Sequence, residues 1–139
     1  MISLCLDTNA FSAHQRSDAF AIGLVAAVDQ IWMPSITLGE LRSGFLSGSK
    51  SAANELHLQE FLALPYLSVA SATEITSRHY AKISQQLRQD GKTIPSNDIW
   101  IAATAMELDC PIFSFDKHFK FVKNLSVVSS AADWIALNS

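Results

Sequence analysis

Apolar residues along this chain alternate between two patterns. Short continuous runs occur at Ile2–Leu6, Ile31–Met33, Tyr66–Val69, Ile112–Phe115 and Leu125–Val128. Runs of this length read as strands buried on both faces. Between them lie stretches with helical spacing. Ser17 is a plausible cap for a helix reaching about Val28, with Ala21, Leu24, Val25 and Val28 on one face. Ser35 caps a helix to about Leu46. After the Gly-Ser loop 47–51, another helix runs from about Ala52 to Ala63 and stops before Pro65. Ser71-Ala72-Thr73-Glu74 has capping-box spacing and opens a long helix to about Gln89. Ser96 and Asn97 offer caps for a helix from Asp98 to Leu108. A short helical turn follows at His118–Val122, and a last helix at Ala131–Leu137. This alternation predicts an α/β fold of three layers, α/β/α, around a central, mostly parallel sheet of short strands.

Four acids fall at the ends of these elements. Asp7 follows the first strand, Glu40 lies in the third helical segment, Asp98 opens a helix and Asp116 ends a strand. Each has an ordinary explanation. Asp7 and Asp116 suit turns or caps. Glu40 suits a solvated face, although Ile36, Leu38, Leu41 and Phe45 around it are apolar. Asp98 suits a helix dipole, yet it shares its face with Ile101, Ala102 and Ala105, so the carboxylate points inward. Open α/β sheets put ligand sites at the carboxyl ends of their strands. Four carboxylates meeting there would repel one another unless a divalent cation offset the charge. Such a site suits attack by an activated water on a phosphoryl group. Dinucleotide, Walker-type and nucleophile-elbow glycine motifs are absent from the chain.

Length and composition fit one compact domain over residues 1–139: 49% of the 139 residues are hydrophobic and 17% charged. No apolar run is long enough to cross a bilayer and no secretory pattern opens the chain, so the expected location is cytoplasmic, with no membrane partner. Cys5 and Cys110 read as buried thiols, too few for a zinc site. Net charge is −3, which argues against a general nucleic-acid coat protein. Of the 13 acids, however, four belong to the candidate cluster, leaving nine against 10 Lys and Arg. A nucleic-acid substrate is therefore not excluded. Lys117, His118 and Lys120 follow Asp116 and read either as a solvated turn or as phosphate contacts. Arg42 is another possible RNA contact, or a partner of Glu40. The four histidines show no metal-ligand spacing.

Leu6-Asp7-Thr8-Asn9, Glu40-Leu41-Arg42-Ser43-Gly44 after Ser35, Asn97-Asp98-Ile99-Trp100-Ile101-Ala102-Ala103 and Ser114-Phe115-Asp116-Lys117-His118-Phe119 together resemble the PIN domain. The length resembles the VapC-type toxin ribonucleases of type II toxin–antitoxin pairs. The resemblance implies a PIN-like fold and Mg²⁺-dependent RNA cleavage, with Mn²⁺ as a possible substitute. It implies that Asp7, Glu40, Asp98 and Asp116 hold the metal, and that Thr8, Asn9 and Ser114 orient them. It also implies a small antitoxin partner and a homodimer. Some members carry a further Asp or Asn just after the fourth acid, and this chain has none there. Two other readings stay open. A phosphatase of the haloacid-dehalogenase type would use Asp7 as nucleophile, though Asn9 stands where its second Asp belongs. A receiver-like module would bind a cation without catalysis.

Overall fold

The computed structural model describes all 139 residues as five strands and seven α-helices, with a single 3₁₀ turn. In chain order they are β1 (Ser3–Leu6), α1 (Thr8–Gln15), α2 (Ala19–Ala27), β2 (Gln30–Pro34), α3 (Ser35–Ser47), α4 (Ser51–Leu62), β3 (Leu67–Ala70), α5 (Glu74–Gln89), α6 (Ser96–Glu107), β4 (Ile112–Phe113), the 3₁₀ turn Lys117–Phe121, β5 (Val127–Val128) and α7 (Ala131–Leu137). All strand pairs are parallel, in the order β3-β2-β1-β4-β5. The chain leaves β1 towards β2 and β3, then returns to the other side of β1 for β4 and β5. The sheet therefore reverses direction of growth between β1 and β4, the place where α/β sheets open a crevice.

Alternation along the strands divides the core in two. Leu4 and Leu6 of β1, Ile31 and Met33 of β2, and Phe113 of β4 face one side, where they pack with Phe11, Leu24, Leu41 and Phe61 from α1 to α4. Cys5 and Ile112 face the other, against Ile83 and Leu87 of α5 and Ile99, Ile101 and Ala105 of α6. Both faces are covered, which is why the strands read as unbroken apolar runs. Helices α5 and α6 form the most extensive helix pair. Trp100 lies against Tyr80 with ring centroids 4.4 Å apart, and Thr76 Oγ1 donates to Glu107 Oε2 at 2.7 Å. Cys5 and Cys110 are free and buried. Their thiols are hydrogen-bonded, and that bond, with burial, holds the Cys5 proton on well above the usual thiol range. No helix is long and apolar enough to cross a membrane.

Local expectations differ from the structure at helix α1 and at the starts of four other helices. The stretch after β1 is a helix, α1, that begins at Thr8 with Asp7 in the N-cap position. Its small and polar residues hide the pattern; only Ala10, Phe11 and Ala13 are buried. The cap of α2 is Asp18, whose Oδ2 accepts from the Ala21 amide at 3.0 Å, whereas Ser17 takes the left-handed conformation at φ 63°. The box at the start of α5 is built by Thr73 and Thr76, because β3 runs on through Ala70 and leaves Ser71 and Ala72 as the connection. Similarly, Ser35 and Ser96 are first helical residues behind Pro34 and Pro95, not caps.

The α2 entry can be checked by chemical denaturation. Asp18→Ala removes an oxygen that satisfies an end amide and is expected to cost about 1 kcal/mol. Ser17→Gly is expected to stabilise by about 0.5–1 kcal/mol, because glycine tolerates the positive φ that serine holds under strain. The reverse ranking would restore Ser17 as the cap.

Candidate metal centre

The four acids reach the β1/β4 crevice from four different elements. Asp7 leaves the end of β1, where its amide donates to Phe113 O at 3.1 Å and locks it to the neighbouring strand. Although it occupies the N-cap position of α1, its carboxylate makes no side-chain cap bond. It instead accepts from Ser114 Oγ at 2.7 Å. Glu40 arrives from α3, the helix that follows β2 without a loop, and accepts from Thr8 Oγ1 at 2.9 Å. Thr37, one turn earlier, donates to Leu6 O at 3.0 Å and pins α3 to the end of β1. Asp98 stands in the first turn of α6 and is 8% exposed, as its apolar face requires. Asp116 follows β4, and its amide donates to Ser114 Oγ at 3.0 Å.

Ser114 is the junction of this arrangement. It is fully buried, donates to Asp7, and accepts from the Asp116 amide, so one hydroxyl joins the first acid to the backbone of the fourth. Asn9 Oδ1 accepts from the Phe115 amide at 3.1 Å and lies 3.4 Å from Ser114 Oγ. Asn9 thus braces the end of β4. That committed role also removes the position a haloacid-dehalogenase-type phosphatase would give to a second aspartate.

The electrostatics show the crowding. Burial pushes the Asp7 carboxyl up to about 6, and the charges of Asp98 and Glu40 push the same way; the Ser114 bond offsets part of this. Burial also raises Asp98, with Asp116 and Glu40 adding to the shift and His118 opposing it. Asp98 thus senses the charge of Asp116 and Glu40, and Asp7 that of Asp98 and Glu40, so Asp98 links all four. One ligand atom from each of Asp98, Asp116 and His118 lies within 4.8 Å of the other two. The donor set is mainly hard carboxylate oxygen, which fits a divalent cation of the Mg²⁺ class. An open groove of about 630 Å³ runs beside the cluster, lined by Ile36, Gly39, Glu40, Ser43, Gly44 and Asn97. A cavity of about 550 Å³ opens at the opposite edge, at the amino ends of β1, β4 and β5, and touches none of the four acids.

Two expectations about basic residues need correction. Arg42 does not pair with Glu40. It grips Glu55 of α4 through Nε and Nη2 at 2.9 and 3.2 Å. Two residues along a helix turn a side chain by about 200°, so Arg42 faces away from the acids. His118 is turned inward, with Nδ1 3.1 Å from Asp98 Oδ2 and 3.2 Å from Asp116 Oδ1. Sequence spacing for metal-binding histidines missed it, because its neighbours come from a distant helix. The available signal was its place two residues after Asp116, where a carboxylate caps a turn: the His118 amide donates to Asp116 Oδ1 at 2.9 Å. Lys117 and Lys120 are exposed on the same turn. Lys123 reaches Asp90 at 3.5 Å.

A family model described as PIN domain matches residues 4–125. Among curated relatives, Ribonuclease VapC2 of Rickettsia felis is 30% identical over 125 residues, covering 86% of this chain and 92% of its own length. Ribonuclease VapC5 of Mycobacterium tuberculosis is 25% identical over 114 residues, covering 82% and 83%. Among solved structures, VapBC2 from Rickettsia felis bound to a DNA fragment from their promoter superposes with a TM-score of 0.83 at 24% identity, over 91% of this chain and 98% of that one. The fold and its acidic crevice thus define a parallel α/β protein with a carboxylate cluster at the sheet's switch point. The chain belongs to the PIN domain family.

The crowding makes a stability prediction. Asp7 has a higher pKa folded than unfolded, about 6 against 3.8. Its contribution is therefore fully present below about pH 4 and is lost as pH rises through 6, a loss of about 3 kcal/mol in metal-free protein. Asp7→Asn keeps an oxygen for Ser114 and removes the charge. In chelator at pH 7.5 it is expected to raise stability by about 1–3 kcal/mol, and at pH 4 to change it little. The same difference between Asp7→Asn and wild type at both pH values would mean that burial and the neighbouring charges do not raise the Asp7 carboxyl.

Proposed function

We propose that this protein is an endoribonuclease that acts as the toxin of a VapC-type toxin–antitoxin pair, in the cytoplasm, with residues 1–139 forming one PIN-like domain. The observation that carries the proposal is the cluster of four carboxylates at the β1/β4 switch point of a PIN-family chain, wired together through Ser114. Relatives named ribonucleases support the substrate class. Complexes named VapBC among the similar folds support a small antitoxin as partner, and the family resemblance extends this to a homodimer.

In this reading Asp7, Glu40, Asp98 and Asp116 hold Mg²⁺, with Mn²⁺ able to replace it. When bound, the ion neutralises the cluster, polarises the scissile phosphate and acidifies a water for attack on it. The remaining work belongs to the chain. Ser114 and Thr8 fix the Asp7 and Glu40 carboxylates in single orientations, so little reorganisation is needed on reaction. Asn9 keeps the end of β4 in register with the start of α1. The small residues Gly39, Ser43 and Gly44 leave the groove beside Glu40 open to a nucleic-acid strand. Lys117 and Lys120 stand exposed on the turn that follows Asp116, where they can meet phosphates and offset the charge of an RNA backbone.

Purified protein is expected to cut RNA internally in Mg²⁺ and to stop in chelator. Asp7→Asn and Asp98→Asn are each expected to slow cleavage by about 10²-fold or more while folding normally by circular dichroism. Cleavage that is unaffected by either variant would refute the assignment. Metal binding without cleavage of any RNA would instead support the receiver-like reading.

A further inference from the structure

Resting on the metal reading above, we propose that His118 is itself a ligand of the bound ion, and that its nitrogen tilts this site towards first-row transition ions over Mg²⁺. The fourth acid in this chain is followed by Lys117-His118-Phe119, with no additional carboxylate. In the fold, His118 fills that side of the cluster. Its Nδ1 lies 3.1 Å from Asp98 Oδ2 and 3.2 Å from Asp116 Oδ1. Atoms bound to one cation at bond lengths of about 2.1 Å lie roughly 3 Å apart when they are adjacent in its coordination sphere. Both separations match that spacing, and the two carboxylates come from different elements, α6 and the end of β4.

The imidazole is also held in place. The 3₁₀ turn is capped by Asp116 Oδ1, which accepts the His118 amide. Phe119, the next residue, is fully buried. Gln86 of α5 clamps the far end of the turn, donating to Phe121 O at 3.0 Å and accepting from the Lys123 amide at 3.0 Å. The ring is therefore aimed from a backbone fixed at three points. Without an ion this nitrogen hydrogen-bonds the Asp98 carboxylate; an ion in the space shared by Asp98 and Asp116 would take the place of that bond and meet the nitrogen directly. Carboxylate-only sets favour Mg²⁺ and Ca²⁺, whereas an imidazole donor adds affinity for transition ions. The unprotonated ring is also the form that must persist once the ion is bound.

The test uses Mn²⁺ as the probe, on the full chain. Pulsed electron paramagnetic resonance of the Mn²⁺-loaded protein is expected to show a directly coordinated ¹⁴N nucleus. His118→Asp keeps a ligand at the position and is expected to bind Mn²⁺ without that coupling. By calorimetry, the ratio of Mn²⁺ to Mg²⁺ affinity is expected to fall about tenfold or more in His118→Asp. Coupling that is absent from the wild-type protein, or that persists in His118→Asp, overturns the role of His118 and leaves the carboxylate site standing. Failure of the wild-type protein to bind either ion overturns both readings.

Discussion

Burial of carboxylates beside one another, which costs hydration first and adds like-charge repulsion, is the constraint around which this molecule is organised. Asp7 is 4% exposed and close enough to Asp98 and Glu40 to feel their charges. A fold selected for stability alone would not gather four acids in one crevice and bury two of them. The sheet makes the gathering possible. β1 lies at its centre, bonded to β2 on one side and β4 on the other. Every element that brings an acid is tied to β1 or its neighbours: Thr37 fastens α3 to Leu6, and the Asp7 amide fastens β1 to Phe113. The cluster is rigid before any ligand arrives, which is the condition for electrostatic work at low reorganisation cost.

The hydrogen bonds around the cluster do two jobs at once. They orient the carboxylates, and they offset part of the cost of crowding. Ser114 donates to Asp7 and so opposes the upward push of burial. His118 does the same for Asp98. Neither offset is complete, since both carboxyls remain above their ordinary range. The remaining unfavourable energy is what a cation bound there would relieve. Stability and ligand binding are thereby opposed at the same residues, as happens where function needs a strained site.

Much of this was legible in the sequence, for identifiable reasons. Strands covered on both faces leave continuous apolar runs, so β1, β2 and β3 could be read to within a residue or two. Asp98 could be read as inward-facing because Ile101, Ala102 and Ala105 share its helical face. Asp7, Asp98 and Asp116 could be paired with element ends because switch-point geometry makes those ends meet, whereas Glu40 lies inside α3 and was picked out by its apolar neighbours. What escaped depended on contacts between distant segments. Helix α1 is rich in small and polar residues and starts directly from the strand, with no loop to announce it. Arg42 found Glu55 across α3 and α4. His118 found Asp98, which lies 20 residues away in sequence. Caps at Ser17 and Ser71 were plausible locally, and the tertiary path of the chain chose Asp18 and Thr73 instead.

The central claim is that four carboxylates from four elements form one cation site. Anomalous diffraction from crystals soaked in Mn²⁺ tests it most directly. The account predicts a strong anomalous peak in the β1/β4 crevice, within bonding distance of Asp7 and Asp98, that disappears in Asp98→Asn crystals. A crevice without a peak at saturating Mn²⁺, or a peak elsewhere on the surface that ignores Asp98→Asn, would contradict it.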